Sequence, residues 1–140
     1  MKPFRFGVNL RTVRSRGGLA DTARKIEALG YSVLTAPDHL GELIAPIPAL
    51  ATAAAATTKL RLGTLVLNND FRHPVLVARE AAALDLLSDG RLELGLGAGH
   101  MRSEYVLHGV RARPRRVRAG GGAAGGAVAV SPHPALSPEG

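Results

Sequence analysis

The stretch that decides the fold runs from Leu84 to Gly99 and reads LDLLSDGRLELGLGAG. Its first residues complete a helix whose apolar positions recur at helical spacing, and Ser88-Asp89-Gly90 ends that helix. Arg91–Leu96 follows as a short strand, and Gly97-Ala98-Gly99 closes it. The stretch therefore predicts a helix, a turn and a strand with three small residues at the strand's carboxyl end.

The same alternation of strand and helix extends back to the N-terminus. Strands are predicted at Phe4–Asn9, Tyr31–Thr35, Lys59–Leu67 and Arg91–Leu96, and helices at Leu19–Leu29, Pro46–Thr58 and Pro74–Leu87. Strands that alternate with helices in this way form a parallel sheet with right-handed crossovers. We therefore predict an α/β fold with four parallel strands.

The pattern stops after Gly109, and the composition changes with it. Residues 111–140 hold five arginines and one glutamate, whereas residues 1–110 carry 13 basic and 10 acidic side chains, so most of the net charge of +7 lies in the last segment. Arg111–Arg118 has no aromatic residue between its arginines, and the residues after it are rich in Gly, Ala and Pro. We predict a domain over 1–110, an unstructured tail over 111–140 and no nucleic-acid partner.

Composition excludes several classes of protein. The chain has no Cys, which rules out a disulfide scaffold, a thiol nucleophile and a Cys-ligated metal, and no other metal-ligand spacing is present. The longest uncharged stretch, Leu43–Thr58, is too short and too weakly apolar to span a bilayer, and the first ten residues lack the apolar core of a signal peptide. We expect a soluble cytoplasmic protein with no metal ion and no membrane contact.

Polar residues follow all four predicted strands, where ligands bind in parallel α/β folds. His39 either takes and gives a proton near neutral pH or is a loop histidine whose partner is Asp38. Glu104 is either a second proton-handling group or a solvated helix residue. His73 precedes Pro74 and is assigned to the start of a helix.

Gly95, Gly97 and Gly99 alternate at the end of the fourth predicted strand. Their spacing is not that of a dinucleotide-binding loop, which would also follow the first strand. Glycines at this place either let a flat ligand approach the backbone closely or allow tight packing between strands. Both interpretations stay open at the level of the sequence.

The stretch Leu84–Gly99 resembles the hallmark LDxLSxGRxxLGxGxG of the bacterial luciferase-like flavin enzymes. Further segments that fit the family are Phe4–Val8, Glu27–Tyr31, Asp38-His39, Gly63-Thr64 and Met101–Tyr105. The chain is similar in particular to the subgroup that uses coenzyme F420, a deazaflavin. The resemblance covers about residues 3–110 and implies the first half of a (β/α)8 TIM barrel with oxidoreductase or monooxygenase chemistry, by hydride transfer or oxygen insertion.

The resemblance also implies a site at the barrel's carboxyl face for coenzyme F420 or FMN. His39 and Glu104 would be the catalytic residues, with His39 near the reactive carbon of the ring. The implied cofactor-binding residues are Asp38, Asn68, Asn69, Gly97, Ala98, Gly99 and His100. Relatives often carry Trp where this chain has His100. A non-proline cis peptide bond is expected within Leu67-Asn68-Asn69.

A complete barrel of this type has eight strand–helix units and about 250 residues, whereas four strands are predicted here. We expect a truncated enzyme whose tail arises from a frameshift near residue 110, with weak or no cofactor binding and no activity of its own. Its first and fourth strands would be open edges through which it self-associates. The alternative is a non-catalytic gene fragment or a small interaction domain. The substrate is expected to be a small molecule, which the sequence does not identify.

Overall fold

The computed structural model describes residues 4–110 and 128–130, and in it helices cover one face of a largely parallel sheet. The elements are β1 (Gly7–Asn9), α1 (Arg16–Ala28), β2 (Val33–Ala36), α2 (Pro46–Ala56), β3 (Arg61–Thr64), β4 (Leu67–Asn68), α3 (Pro74–Leu87), β5 (Leu92–Gly97), α4 (Arg102–Leu107) and β6 (Val128–Val130). Proline occupies the first turn of α2 and α3, where its missing N–H costs nothing. No helix in the described part of the chain has the length and apolar character needed to cross a membrane.

The strands β1, β2, β3 and β5 are parallel neighbours in that order, which confirms the predicted α/β class. The last residues of β5 pair with β4, so β3 and β4 lie one after the other along β5. Because parallel strands end at the same edge of a sheet, the loops after β2, β4 and β5 come together there. This edge is the carboxyl end of the sheet.

The third predicted strand, Lys59–Leu67, is wrong as a single element, because β3 ends at Thr64 and β4 begins at Leu67. The peptide bond between Leu65 and Val66 is cis, so the expected position of this bond at Leu67-Asn68-Asn69 is also wrong, by two residues. The Thr64 hydroxyl donates to the carbonyl oxygen of Gly95 and accepts from its amide, each at 2.8 Å. The Thr64 side chain thus makes the hydrogen bonds to β5 that a strand backbone would otherwise make at the point where the strand is interrupted.

The core lies between the helices and the sheet. Leu34, Leu62 and Leu92 are register partners on β2, β3 and β5, and all three are fully buried. Side chains alternate across a strand, so their neighbours Gly63 and Glu93 lie on the opposite face. That face carries small and polar side chains, which is the pattern expected for the inside of a barrel.

The strand β6 lies in the segment 111–140, for which we predict no structure. It pairs antiparallel with Leu94–Leu96 of β5. The expectation of an open edge on the fourth predicted strand is therefore wrong over these three residues. The open edge of the first strand stays a prediction. The basic run Arg111–Arg118 lies outside the described residues.

Candidate functional site

A pocket of about 440 Å³ opens at the carboxyl end of the sheet. It is lined by Asp38, His39, Leu65, Val66, Asn68, Gly97, Ala98, Gly99, His100 and Glu104. These residues come from the loop after β2, from β4 and the connection that precedes it, from the end of β5 and the loop after it, and from the first turn of α4. The volume lies within the range of about 300–1,000 Å³ that ligand pockets occupy. All but one of the residues predicted for the site therefore meet in one cavity.

The residue left out of this lining is Asn69. Its side chain is exposed, and its amide donates to the carbonyl oxygen of Gly97 at 2.9 Å. The cofactor contact assigned to Asn69 stays a prediction. His73 caps the start of α3, where its Nδ1 accepts from the amide of Val75 at 3.3 Å, as predicted.

His39 and Glu104 form a pair within the pocket. His39 Nδ1 lies 3.0 Å from Glu104 Oε1, and the same oxygen accepts from the amide of Leu40 at 2.9 Å. Glu104 is 6% exposed, so the interpretation of this residue as a solvated helix residue is wrong. The partner of His39 is Glu104 and not Asp38. A carboxylate only accepts, so in a neutral imidazole paired with it the proton lies on His39 Nδ1 and Nε2 is the acceptor.

Asp38 lines the pocket, but its carboxylate is directed to protein atoms. Arg72 binds it with both terminal nitrogens, Nη2 donating to Oδ1 at 3.0 Å and Nη1 to Oδ2. Oδ2 also accepts from the amide of Asn68 at 2.8 Å. The Asp38 side chain is 3% exposed. Asp38 therefore fixes the position of β4 and the loop after it, and no motif in the sequence indicates Arg72 as its partner.

A second polar cluster fixes the same loop against α4. Asn68 Nδ2 donates to the hydroxyl oxygen of Tyr105 at 3.1 Å, and that hydroxyl donates to Asp70 Oδ2 at 3.0 Å. Asn68 Oδ1 accepts from the amide of Asp70 at 3.0 Å. Phe71 packs against Tyr105, with ring centroids 5.9 Å apart. Sequence reasoning placed Tyr105 only within a family segment and assigned it no role.

The alternating glycines of β5 are required by contacts within the protein. A Cβ atom on Gly95 would lie 2.3 Å from the carbonyl oxygen of Thr64, and one on Gly97 would lie 2.2 Å from a methyl group of Val66. On Gly99, which has a φ of 72°, it would lie 1.8 Å from the hydroxyl of Tyr105. The packing interpretation of these glycines is therefore supported, since Thr64 at the end of β3, Val66 between β3 and β4, and Tyr105 of α4 fill the space that side chains would need.

The wall and the rim of the pocket differ in polarity. Leu65 is 52% exposed although it is a large apolar residue, and it lies beside Val66 and the backbone of 97–99. The exposed imidazole of His100 meets that of His39 edge to face, with centroids 5.7 Å apart and planes at 82°. The pocket thus combines an open apolar surface with two imidazoles and two buried carboxylates.

Two carboxyl groups with lowered pKa lie away from this pocket. Burial alone would raise the pKa of Glu27, but hydrogen bonds from the amides of Lys59, Leu60 and Thr58, together with the charge of Arg91, outweigh it and lower the pKa. For Glu93, burial is likewise outweighed, in this case by Arg5 and Arg61. Both glutamates lie toward the amino end of the sheet.

Comparison with known proteins identifies the family. The family model described as luciferase-like monooxygenase matches residues 2–120. The 4-hydroxyprotoasukamycin monooxygenase of Streptomyces nodosus subsp. asukaensis is 36% identical over 94 residues, which are 64% of this chain and 25% of the relative. The F420-dependent glucose-6-phosphate dehydrogenase of Beutenbergia cavernae is 38% identical over 89 residues, which are 58% of this chain and 26% of the relative.

A solved structure supports the same assignment. The coenzyme F420-dependent tetrahydromethanopterin reductase of Methanopyrus kandleri superposes with a TM-score of 0.69 at 28% identity, covering 76% of this chain and 30% of that one. The chain thus spans about a quarter to a third of the length of the proteins it matches. The architecture and the matches confirm the predicted part of a luciferase-like barrel. The chain belongs to the luciferase-like monooxygenase family.

Proposed function

We propose that this chain forms the part of an oxidoreductase site that holds the ring of a flavin or deazaflavin, coenzyme F420 or FMN. The observation that carries the proposal is the His39–Glu104 pair in a pocket with an exposed apolar wall. The names of the relatives support it, because they describe an F420-dependent dehydrogenase, an F420-dependent reductase and a monooxygenase.

The residues present fit a flat aromatic ring. Leu65 exposes an apolar side chain to the cavity, and the small residues Gly97, Ala98 and Gly99 also line it, with little side chain between their backbone and a ligand. His39 and His100 supply hydrogen-bonding groups around this surface, and Asn68 lies beside them with its side-chain amide bonded to Tyr105 and Asp70. Pockets for cofactors have this composition, with apolar walls and a few placed polar groups.

The proposed chemistry is a two-electron transfer coupled to a proton transfer. When bound, the cofactor accepts or donates the hydride. His39 Nε2 takes the proton from a substrate hydroxyl as the hydride leaves the adjacent carbon, or returns it in the reverse direction. Glu104 holds the imidazole in the tautomer that leaves Nε2 free and balances the positive charge that forms on the ring. This division of roles favours hydride transfer over oxygen insertion.

Titration of the purified chain with coenzyme F420 and with FMN tests the proposal. We expect one-to-one binding of at least one of them, weaker than in full-length relatives because the chain spans only part of their length. Leu65→Asp should weaken it by about tenfold or more, since a buried charge would face the ring. The matched control is Leu86→Asp, at an exposed leucine of α3 outside the pocket lining, which should bind as the unaltered chain does. Equal affinities for both variants, or no binding at all, would contradict the proposal.

The role of Glu104 is tested without a substrate. Imidazole ¹⁵N chemical shifts of His39 should report the Nδ1–H tautomer in the neutral ring, and Glu104→Ala should abolish this preference. His73 provides an internal control, because its Nδ1 accepts a backbone hydrogen bond and its ring should be unaffected. An Nε2–H tautomer of His39 in the unaltered chain would exclude the proposed direction of proton transfer.

A further inference from the structure

Two phenylalanines at the start of the first strand are exposed, although they lie beside the hydrophobic core. Phe4 is 89% exposed and Phe6 is 70% exposed. Side chains alternate along an extended strand, so both point to the same face as Val8, which packs against the core. Arg5, which lies between them, bonds to Glu93 on the opposite face. We call Phe4 and Phe6 the aromatic pair; the described helices leave it uncovered.

The backbone of β1 has one side without a neighbour among the described strands. β1 is the first strand in the sheet order and pairs with β2 alone. The carbonyl oxygen of Phe6 and the amide of Leu10 both bond to the β2 side, at 2.8 and 2.7 Å. Because the direction of the backbone polar groups alternates along a strand, those of Gly7 and Asn9 face away from β2. The edge thus presents two amides and two carbonyl groups to an incoming strand.

The outward groups of β1 are self-complementary in one antiparallel register. With a two-fold axis through Gly7, this residue exchanges both hydrogen bonds with its copy, and Asn9 pairs with Arg5 of the second copy. Arg5 then lies opposite a neutral side chain, and its guanidinium already bonds to Glu93 of its own copy at 2.6 Å. The edge therefore accepts a second β1 with paired backbone groups and without a repulsive charge contact.

The same register covers the aromatic pair. Phe6 lies opposite Val8 of the second copy, and Phe4 lies opposite Leu10, all on the helix-facing side of the sheet. The phenylalanines of both copies together bury about 600 Å² of surface, and with the paired strands the contact reaches about 1,000 Å². This area lies at the lower limit for a specific interface, so we expect a dimer that dissociates in the micromolar range.

We propose that β1 is the docking surface for a second copy of this chain, and that the two sheets join antiparallel through their first strands. A two-fold axis perpendicular to the sheet keeps the helices of both copies on the same face of one continuous sheet. The inference is independent of the function proposed above, because no residue that lines the pocket belongs to β1. Each copy keeps its own pocket.

Sedimentation equilibrium of the full chain tests the proposal. The unaltered chain should show a monomer–dimer equilibrium with a Kd of about 10 μM. Phe6→Lys, which removes an apolar contact, and Asn9→Pro, which removes an amide that faces away from β2, should each raise the Kd by about tenfold or more. Leu107→Lys is the matched control, because it places the same charge at an exposed leucine of α4 and should leave the Kd unchanged.

Two outcomes of this measurement would overturn the proposal. One is a monomer at every concentration up to about 200 μM, well above the expected Kd. The other is a dimer whose Kd changes with neither Phe6→Lys nor Asn9→Pro, since it would form through another surface. Circular dichroism checks that each variant is folded, and if one of them is not, the other decides.

Cysteine pairing tests the register, since the chain contains no cysteine of its own. Residues 5 and 9 of opposite copies have Cα atoms about 5.5 Å apart in this register, within reach of a disulfide, whereas the two copies of residue 5 are about 14 Å apart. A mixture of Arg5→Cys chains and ¹⁵N-labelled Asn9→Cys chains, equilibrated with glutathione, should therefore give mainly the mixed disulfide in mass spectrometry. A statistical mixture, or disulfides mainly between chains of the same variant, would overturn the antiparallel arrangement.

Discussion

The two ends of the parallel sheet use charged side chains differently. At the amino end, Arg91 is 8% exposed, and its three guanidinium nitrogens donate to four oxygen atoms at 2.6–3.0 Å. These belong to Ser88, Thr57, Leu60 and Ala54, so one side chain joins the last turns of α2 and α3 to the start of β3. Arg91 thereby holds together elements that the chain connects only through turns.

Glu27, which carries a negative charge, also joins elements that are separate in the sequence. Its Oε1 accepts from the amides of Thr58, Lys59 and Leu60 at 2.9, 2.6 and 2.8 Å, which fixes the entry into β3 from the end of α1. At the carboxyl end, by contrast, His39 has one ring nitrogen bonded to Glu104 and the other available to the pocket. Arg91 and Glu27 at the amino end thus bond to backbone and side-chain atoms of several elements, whereas the His39 imidazole at the carboxyl end bonds through one nitrogen and lines the pocket. In (β/α)8 barrels this division separates stability from catalysis.

The largest effect is expected from Arg91→Ala. The substitution leaves buried carbonyl oxygens without a donor, and we expect a loss of about 3 kcal/mol or more in the free energy of unfolding. Urea denaturation followed by circular dichroism measures it. Arg79→Ala, on the exposed side of α3, should change stability by less than about 0.5 kcal/mol. Similar losses in the free energy of unfolding for Arg91→Ala and Arg79→Ala would show that the buried hydrogen bonds of Arg91 do not stabilise the amino end of the sheet.

A smaller, pH-dependent effect is expected from Glu27→Gln. The folded-state pKa of Glu27 lies below that of the unfolded chain, so its carboxylate stabilises the fold above the unfolded pKa and loses this contribution as the pH falls through the folded value. The variant should be less stable by about 1–2 kcal/mol at pH 7, and the difference should shrink below about pH 4. Glu80→Gln, at an exposed position of α3, is the control. A difference that is constant from pH 7 to pH 3 would contradict the ionic origin.

The smallest effect on stability is expected from His39→Gln. The imidazole side chain is 36% exposed and makes one hydrogen bond, which the amide of Gln can replace. The free energy of unfolding should therefore change by less than about 0.5 kcal/mol, although the proposed proton transfer would be lost. If His39→Gln lowers the free energy of unfolding as much as Glu27→Gln does, the main role of His39 is to stabilise the fold, as Arg91 and Glu27 do at the amino end.

The sequence predicted elements well where periodicity was uniform. The helix Pro74–Leu87 was predicted with both ends as observed, because proline, a run of apolar positions and Ser88-Asp89-Gly90 mark it unambiguously. The strand Lys59–Leu67 was predicted as continuous because its apolar residues do not show that Leu65 and Val66 leave the sheet. The hydrophobic pattern of a sequence predicts which residues are buried, but it does not predict the direction of the backbone. Leu65 is exposed, and the sequence alone does not distinguish it from a buried leucine.

The sequence predicts most of the residues that form the site, but it does not predict the contacts between them. His39 and Glu104 are candidates from their positions after predicted strands and from the resemblance, but their 3.0 Å contact joins residues 65 positions apart, a separation that no local pattern encodes. Arg72 was missed for the same reason, since its partner Asp38 lies 34 residues earlier. Local spacing predicts which residues reach the carboxyl end of the sheet, whereas tertiary structure decides which of them bond to one another.

The bridging hydroxyl of Thr64 restricts which amino acids this strand can carry. Residues 62–67 read LGTLVL, and Thr64 is the one polar side chain among apolar and glycine neighbours. Valine has nearly the same shape and a higher preference for apolar surroundings, yet it would leave the buried amide and carbonyl of Gly95 without partners. The hydroxyl therefore holds the end of β3 against β5 directly before Leu65–Val66 and Gly97–Gly99, so one residue outside the pocket lining supports both segments that line it.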